Sequence, residues 1–160
     1  NRPGHFDGVL TILNKFFSII NPSILILGKK DYQQFVLVKD FIKEKNLNIK
    51  TVGVETIRER NGLAYSSRNT LLSNNNKSIA SMLYKVLKDI ELNKDVLSND
   101  LLNTQIKYLT SNGFELDYLA VCDTESLEQS LDIYKKDLLV AIAAKLNNVR
   151  LIDNIVLTKL

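Results

Sequence analysis

Two stretches of this sequence combine residue types that bind anions. In residues 23–35, SILILGKKDYQQF, an apolar run ends at Gly28 and is followed at once by Lys29, Lys30 and Asp31. A helix opening at Asp31 would aim unpaired N–H groups and the positive end of its dipole at that turn, which suits a phosphate or carboxylate. Gly28 would let a ligand approach the backbone closely, and the two lysines add charge at the same point. The same residues also suit an ordinary helix start, with Asp31 and Gln34 spaced as in a capping box. In residues 61–69, NGLAYSSRN, a turn leads to two hydroxyls and an arginine. Ser66 and Ser67 can donate to phosphate oxygens, and Arg68 can pair with them bidentately. A loop of this kind can close over a ligand, or it can be a surface turn with helix caps. Tyr65 could line a base pocket or pack beneath the loop. His5, the single histidine, follows Arg2 and could bind a carboxylate or serve a structural role. No Ser-His or Cys-His pair and no metal-ligand set stands out.

The elements that must position these residues are legible as periodicities. Residues 8–20 carry apolar side chains at Val9, Leu10, Ile12, Leu13, Phe16, Phe17 and Ile20, a helical stripe that Asn21-Pro22 ends. Residues 23–27 read as a short, buried, parallel strand. Residues 31–45 read as a helix with Phe35, Val36, Val38, Phe41 and Ile42 inward, and residues 48–54 as a second strand. That alternation predicts an α/β layer with a parallel sheet. Residues 55–72 break the pattern, with a turn at Asn61-Gly62. Ser73 is the expected N-cap of one long helix reaching Leu92, and a further helix over 100–112 is capped by Gly113. Three strands follow, over 114–123, 137–144 and 149–157. Helices followed by strands predict a small α+β unit, so we expect a domain over 1–72 and another over 73–160.

Composition bounds the function. The 160 residues are 45% hydrophobic and 24% charged, with a formal net charge of +3, the balance of a globular protein. Residues 1–72 hold 11 Lys/Arg against 6 Asp/Glu, and residues 73–160 hold the other 10 against 12, so an anionic small ligand is expected in the first part. A dense basic stripe interleaved with stacking aromatics, as nucleic-acid binding requires, is absent. No apolar run approaches a membrane span. Cys122 is the one cysteine, so no internal disulfide can form. With no charged leader followed by a long apolar segment, the expected location is the cytoplasm.

Three stretches in order, RPGHFDGV (2–9), LGKKDYQQF (27–35) and GLAYSSRN (62–69), together with the closing VRLIDNIVL (149–157), resemble the pantothenate synthetase family. The resemblance implies a Rossmann-like nucleotidyltransferase domain followed by a small α+β domain. It also implies ATP-dependent, Mg²⁺-requiring ligation of pantoate to β-alanine through a pantoyl-adenylate, in a cytoplasmic homodimer. Carried onto this sequence, it assigns Arg2, His5 and Gln34 to pantoate. It assigns Gly28, Lys30, Asp31, Ile57, Tyr65, Ser66, Ser67 and Arg68 to ATP, with Lys30, Ser66, Ser67 and Arg68 as the catalytic set. In the family the first stretch lies mid-chain, behind a His-x-Gly-His motif at the adenylation site. This sequence contains no such motif, so the expectation is a C-terminal portion of the enzyme, inactive alone. The alternatives are a non-catalytic dimerisation or ligand-binding module and a related adenylyltransferase. The sequence departs from the family at Lys29, where an acidic residue is usual, and at Tyr65, where Met is common.

Overall fold

The computed structural model of the chain describes residues 5–160, with backbone alone at residue 5. It divides into two compact units, Asn1–Glu55 and Thr56–Leu160.

In the first unit, α1 (His5–Ile20), β1 (Ile24–Gly28), α2 (Tyr32–Glu44) and β2 (Lys50–Val54) follow one another, the expected helix–strand alternation. The amphipathic stripe of α1 turns Leu10, Leu13 and Phe17 inward. The helix stops where Asn21 adopts φ 47°, a left-handed conformation Asn tolerates, and Pro22 then bars continuation. α2 ends in a Schellman motif: Asn46 (φ 51°) donates to the Lys43 carbonyl at 3.1 Å and Leu47 to the Ile42 carbonyl at 3.0 Å. Leu47 and Ile42 then pack in the same cluster as Phe17 and Val38. β1 and β2 pair in parallel, from Ile24↔Lys50 to Gly28↔Val54.

The apolar run of β1 predicts a buried strand, and the structure buries one face only. Leu25 and Leu27 face the helical core, whereas Ile24 and Ile26 point outward, Ile26 being 64% exposed. Strand side chains alternate between faces, and the apolar cluster lies against only one of them. On α1, Ile12, Phe16, Ile19 and Ile20 are also exposed.

The second unit places helices before strands. Ser73 caps α3 (Asn74–Ala80) by accepting from the Asn76 N–H at 3.2 Å. The single long helix expected from Ser73 to Leu92 is instead two, α3 and α4 (Met82–Leu92), parted at Ser81. The buried Ser81 hydroxyl donates to the Ser78 carbonyl at 2.7 Å, a local side-chain bond that competes with regular helix. α5 (Asn99–Ser111) ends as expected at Gly113, φ 86°, with Phe114 donating to the Leu109 carbonyl at 3.2 Å. β3 (Glu115–Asp123), β4 (Leu138–Leu146) and β5 (Val149–Leu157) form an antiparallel sheet with β4 central. β4 and β5 are joined by Asn147-Asn148, both at positive φ, the two-residue turn whose twist suits a hairpin. Leu83, Leu87, Ile90 and Leu109 close the core against Leu138, Val140, Ile142 and Leu157.

The units part between Glu55 and Thr56, whereas the sequence suggested residue 72. Residues 56–72 belong with the second unit because they are anchored in it: Leu63 and Leu72 lie in its core, and Arg58 bonds to β5.

Candidate functional site

At the end of β1 the chain passes from Gly28 into a short 3-10 turn, Lys29–Asp31, before α2 begins at Tyr32. Gly28 has ordinary extended geometry (φ −73°), and a Cβ there would meet nothing within 4 Å. Its value is therefore open space at the strand end rather than unusual backbone. Asp31 is the N-cap residue of α2 but makes no side-chain cap bond, so the capping-box pairing with Gln34 does not form. The exposed Asp31 carboxylate, the half-buried Lys30 and the half-buried Gln34 thus stand at the carboxyl ends of the parallel strands and the first turns of the next helix. That is where open α/β sheets take their ligands.

Lys29 is committed elsewhere in the same corner. Its Nζ pairs with Glu55 Oε1 at 2.5 Å, just past the end of β2. Its stem lies over Gly53, where a Cβ would come within 2.7 Å of Lys29 Cε and 3.0 Å of the Phe35 ring. A side chain at position 53 would displace the end of Lys29 and press on the Phe35 ring, and Lys29 laces the two strand ends together.

In the second unit, residues 57–65 form a small hairpin around the expected Asn61-Gly62 turn. Tyr65 donates to the Ile57 carbonyl at 2.9 Å, Glu59 to the Leu63 carbonyl at 2.8 Å, and Arg58 bridges Ala64. This pairing sets Ile57 (70% exposed) opposite Tyr65 (59% exposed), two residues eight apart in sequence. Gly62 (φ 94°) closes the turn against Tyr84, whose ring would lie 2.5 Å from a Cβ. Past the hairpin, Ser66 Oγ accepts from the Arg68 N–H at 3.2 Å, and the Ser66 carbonyl accepts from the Asn69 N–H at 3.0 Å. Ser67–Leu71 then forms a 3-10 turn that leaves Ser67 and Arg68 exposed.

Arg58 braces this hairpin. Its guanidinium meets Asp153 of β5 through both arms, at 2.6 and 3.0 Å, and donates to the Gly62 and Asn154 carbonyls at 3.1 and 3.3 Å. It also sits 3.8 Å from the centre of the Tyr84 ring. Sequence reading did not single out Arg58, Glu59, Asn69, Tyr84, Asp153, Gly53 or Glu55. One signal was available: Asp153 interrupts an apolar strand, and a charge there needs a partner.

Lys30, Asp31 and Gln34 therefore cluster at one strand end, and Ile57, Tyr65, Ser66, Ser67 and Arg68 cluster on one hairpin and its exit turn. Arg2 lies outside the described residues, as does the His5 side chain; the His5 backbone opens α1. Among the described residues, no three His, Cys, Asp or Glu side chains gather where they could hold a metal ion.

Comparison with known proteins identifies the relatives of this arrangement. The family described as pantoate-beta-alanine ligase matches residues 1–156. The chain belongs to this family. It is 40% identical over 161 residues to the pantothenate synthetase of Coprothermobacter proteolyticus, covering 98% of this chain and 56% of that protein. It is 42% identical over 160 residues to the enzyme of Methylobacillus flagellatus, covering 96% and 56%. The chain thus spans little more than half the length of these pantoate–β-alanine ligases. Among solved structures, pantothenate synthetase from Thermus thermophilus superposes with a TM-score of 0.89 at 32% identity, covering 98% of this chain and 58% of that one. The Francisella tularensis ligase, solved with beta-gamma ATP and β-alanine, gives a TM-score of 0.74 at 34% identity, covering 96% and 51%. The mixed α/β architecture expected for the pantoate–β-alanine ligase family is the one observed.

Proposed function

We propose that this chain serves the ATP-dependent ligation of pantoate and β-alanine, through a pantoyl-adenylate. The observation that carries this reading is a family match running from residue 1 to residue 156, through all three stretches that carry the resemblance. In the first step a pantoate carboxylate oxygen bonds to the α-phosphorus of ATP, the bridging P–O bond breaks, and pyrophosphate leaves. In the second, the β-alanine amine attacks the activated carbonyl, the C–N bond forms, AMP departs and the nitrogen loses a proton. Neither step needs an enzyme nucleophile. Negative charge grows on phosphate oxygens in the first, and fixed cations aimed there lower the barrier.

The roles are those the family resemblance implies for these positions, and the chemistry of each residue suits its role. Lys30 contacts phosphate and the reacting carboxylate, Gly28 leaves room for ATP at the strand end, and Asp31 accepts from ribose hydroxyls. Gln34, with Arg2 and His5, binds pantoate. Ile57 and Tyr65, exposed and paired across the hairpin, contact the adenine. Ser66, Ser67 and Arg68 grip the β- and γ-phosphates. Mg²⁺ is ordinarily held by phosphate oxygens and waters with few protein ligands, so the nucleotide would bring the ion with it. We further propose a cytoplasmic homodimer.

The test is pantoate- and ATP-dependent AMP release, with β-alanine required for pantothenate. The chain has one histidine and so lacks a His-x-Gly-His motif. The 160-residue chain assayed alone is expected to stay inactive, while the full-length protein turns over. If the full-length protein consumed phosphopantetheine or nicotinate mononucleotide and ignored pantoate, it would be an adenylyltransferase of another kind.

A further inference from the structure

Asn69 follows the exposed Arg68 yet is only 4% exposed itself. Its Nδ2 donates to Glu59 Oε1 at 2.8 Å and to the Ala64 carbonyl at 3.1 Å, so one amide ties both sides of the 57–65 hairpin. Its backbone N–H donates to the Ser66 carbonyl at 3.0 Å, closing the turn that contains Ser66, Ser67 and Arg68. The amide orientation is dictated, because a flip would set its oxygen against two acceptors. The consequence is that Asn69 Oδ1 is buried with no hydrogen-bond partner, the one side-chain atom in that condition among the described residues. A buried unpaired acceptor is a stability cost, so packing stability alone does not account for asparagine here. What the residue does achieve is a fixed exit from the hairpin.

We propose that Asn69 is a positioning residue that holds the Ser66–Ser67–Arg68 turn preformed for nucleotide phosphates, with Glu59 as its anchor. The inference rests on the phosphate-gripping role proposed above for that turn. Asn69 touches no substrate; it acts through the backbone of the turn and through the hairpin that Arg58 pins to Asp153. A grip assembled before ATP arrives avoids ordering cost on binding and keeps the donors aimed during the reaction.

The experiment is steady-state kinetics on the full-length protein, with ATP and pantoate varied in turn and thermal midpoints measured alongside. Asn69→Ala should lower kcat/KM for ATP by about tenfold or more, while KM for pantoate stays within about twofold. Asn69→Asp should be at least as damaging, because it faces a carboxylate and a carbonyl with a carboxylate. Adding Glu59→Gln to it should recover activity, since the new amide can donate to the new carboxylate. Asn69→Ser serves the same comparison should Asn69→Ala fail to fold. The proposal is overturned if kcat/KM for ATP is unchanged, or if activity falls equally for both substrates in step with the folded fraction and Glu59→Gln restores nothing. Arg68→Ala separates the two claims. If it cripples ATP use while Asn69→Ala does not, only the positioning role fails; if it leaves ATP use intact, the phosphate-gripping role fails and this inference with it.

Discussion

Arg58 shows how much one buried charge can organise. It joins a carboxylate, two carbonyls and an aromatic ring, and the Asp153 side chain it meets is 3% exposed. Removing one partner of such a pair leaves the other charged and unsolvated. Arg58→Ala should therefore cost about 3–5 kcal/mol, read as a lowered denaturation midpoint, and should loosen the hairpin that leads to Ser66. Lys30 carries a different expectation, because its proposed work is in the transition state. Lys30→Ala in the full-length protein should slow pantoate-dependent pyrophosphate release by the equivalent of about 3–4 kcal/mol with little change in thermal midpoint. An unchanged rate would remove Lys30 from the mechanism. Lys29 illustrates why neighbouring lysines are not equivalent. It pairs with Glu55 across the strand ends, whereas the proposed work of Lys30 is on the substrates.

At the scale of elements, caps and turns account for most boundaries. Left-handed Asn21, Asn46, Asn147 and Asn148 and the glycines at 62 and 113 mark places where a helix or strand must stop. The loop after β3 adds an electrostatic lock. The Asp123 carboxylate accepts from the backbone N–H groups of Ser126 at 2.7 Å and Glu125 at 2.9 Å and pairs with Lys136 at 3.0 Å. These contacts, the Ser126 N–H foremost, hold its carboxyl well below the usual value of 3.8. Below that usual value the unfolded chain takes up a proton that the folded chain refuses. The stabilisation is thus complete at neutral pH and is lost as the solution becomes more acid. Asp123→Asn should be less stable at neutral pH and should lose less than the parent as pH drops below about 4; parallel acid limbs in chemical denaturation would contradict this. Cys122, alongside, has its thiol pushed up by burial and should react slowly with thiol reagents in the folded protein.

Across the whole molecule, the first unit carries an outward apolar surface, with Ile24 and Ile26 on β1 and Phe16, Ile19 and Ile20 on α1. Exposed apolar side chains on a strand face promote association. Ile24→Thr combined with Ile26→Thr should reduce concentration-dependent self-association of the 160-residue chain in sedimentation velocity, and an unchanged distribution would show that this face is inert. The order of elements was legible in the chain, because periodicity, caps and turn residues act locally: the parallel pair, the Asn61-Gly62 turn, the Gly113 stop and the three final strands are all where local chemistry puts them. The motifs were legible too, because Gly-Lys-Lys-Asp and Ser-Ser-Arg-Asn are contiguous. Contacts between residues far apart in sequence emerged only on folding. The Arg58–Asp153 clasp spans 95 residues, and no local pattern selects that partner. The break at Ser81, the outward face of β1 and the assignment of residues 56–72 to the second unit depend likewise on what lies across the core. So does the orientation of Asn69, whose amide is set by two acceptors that only the folded hairpin brings together.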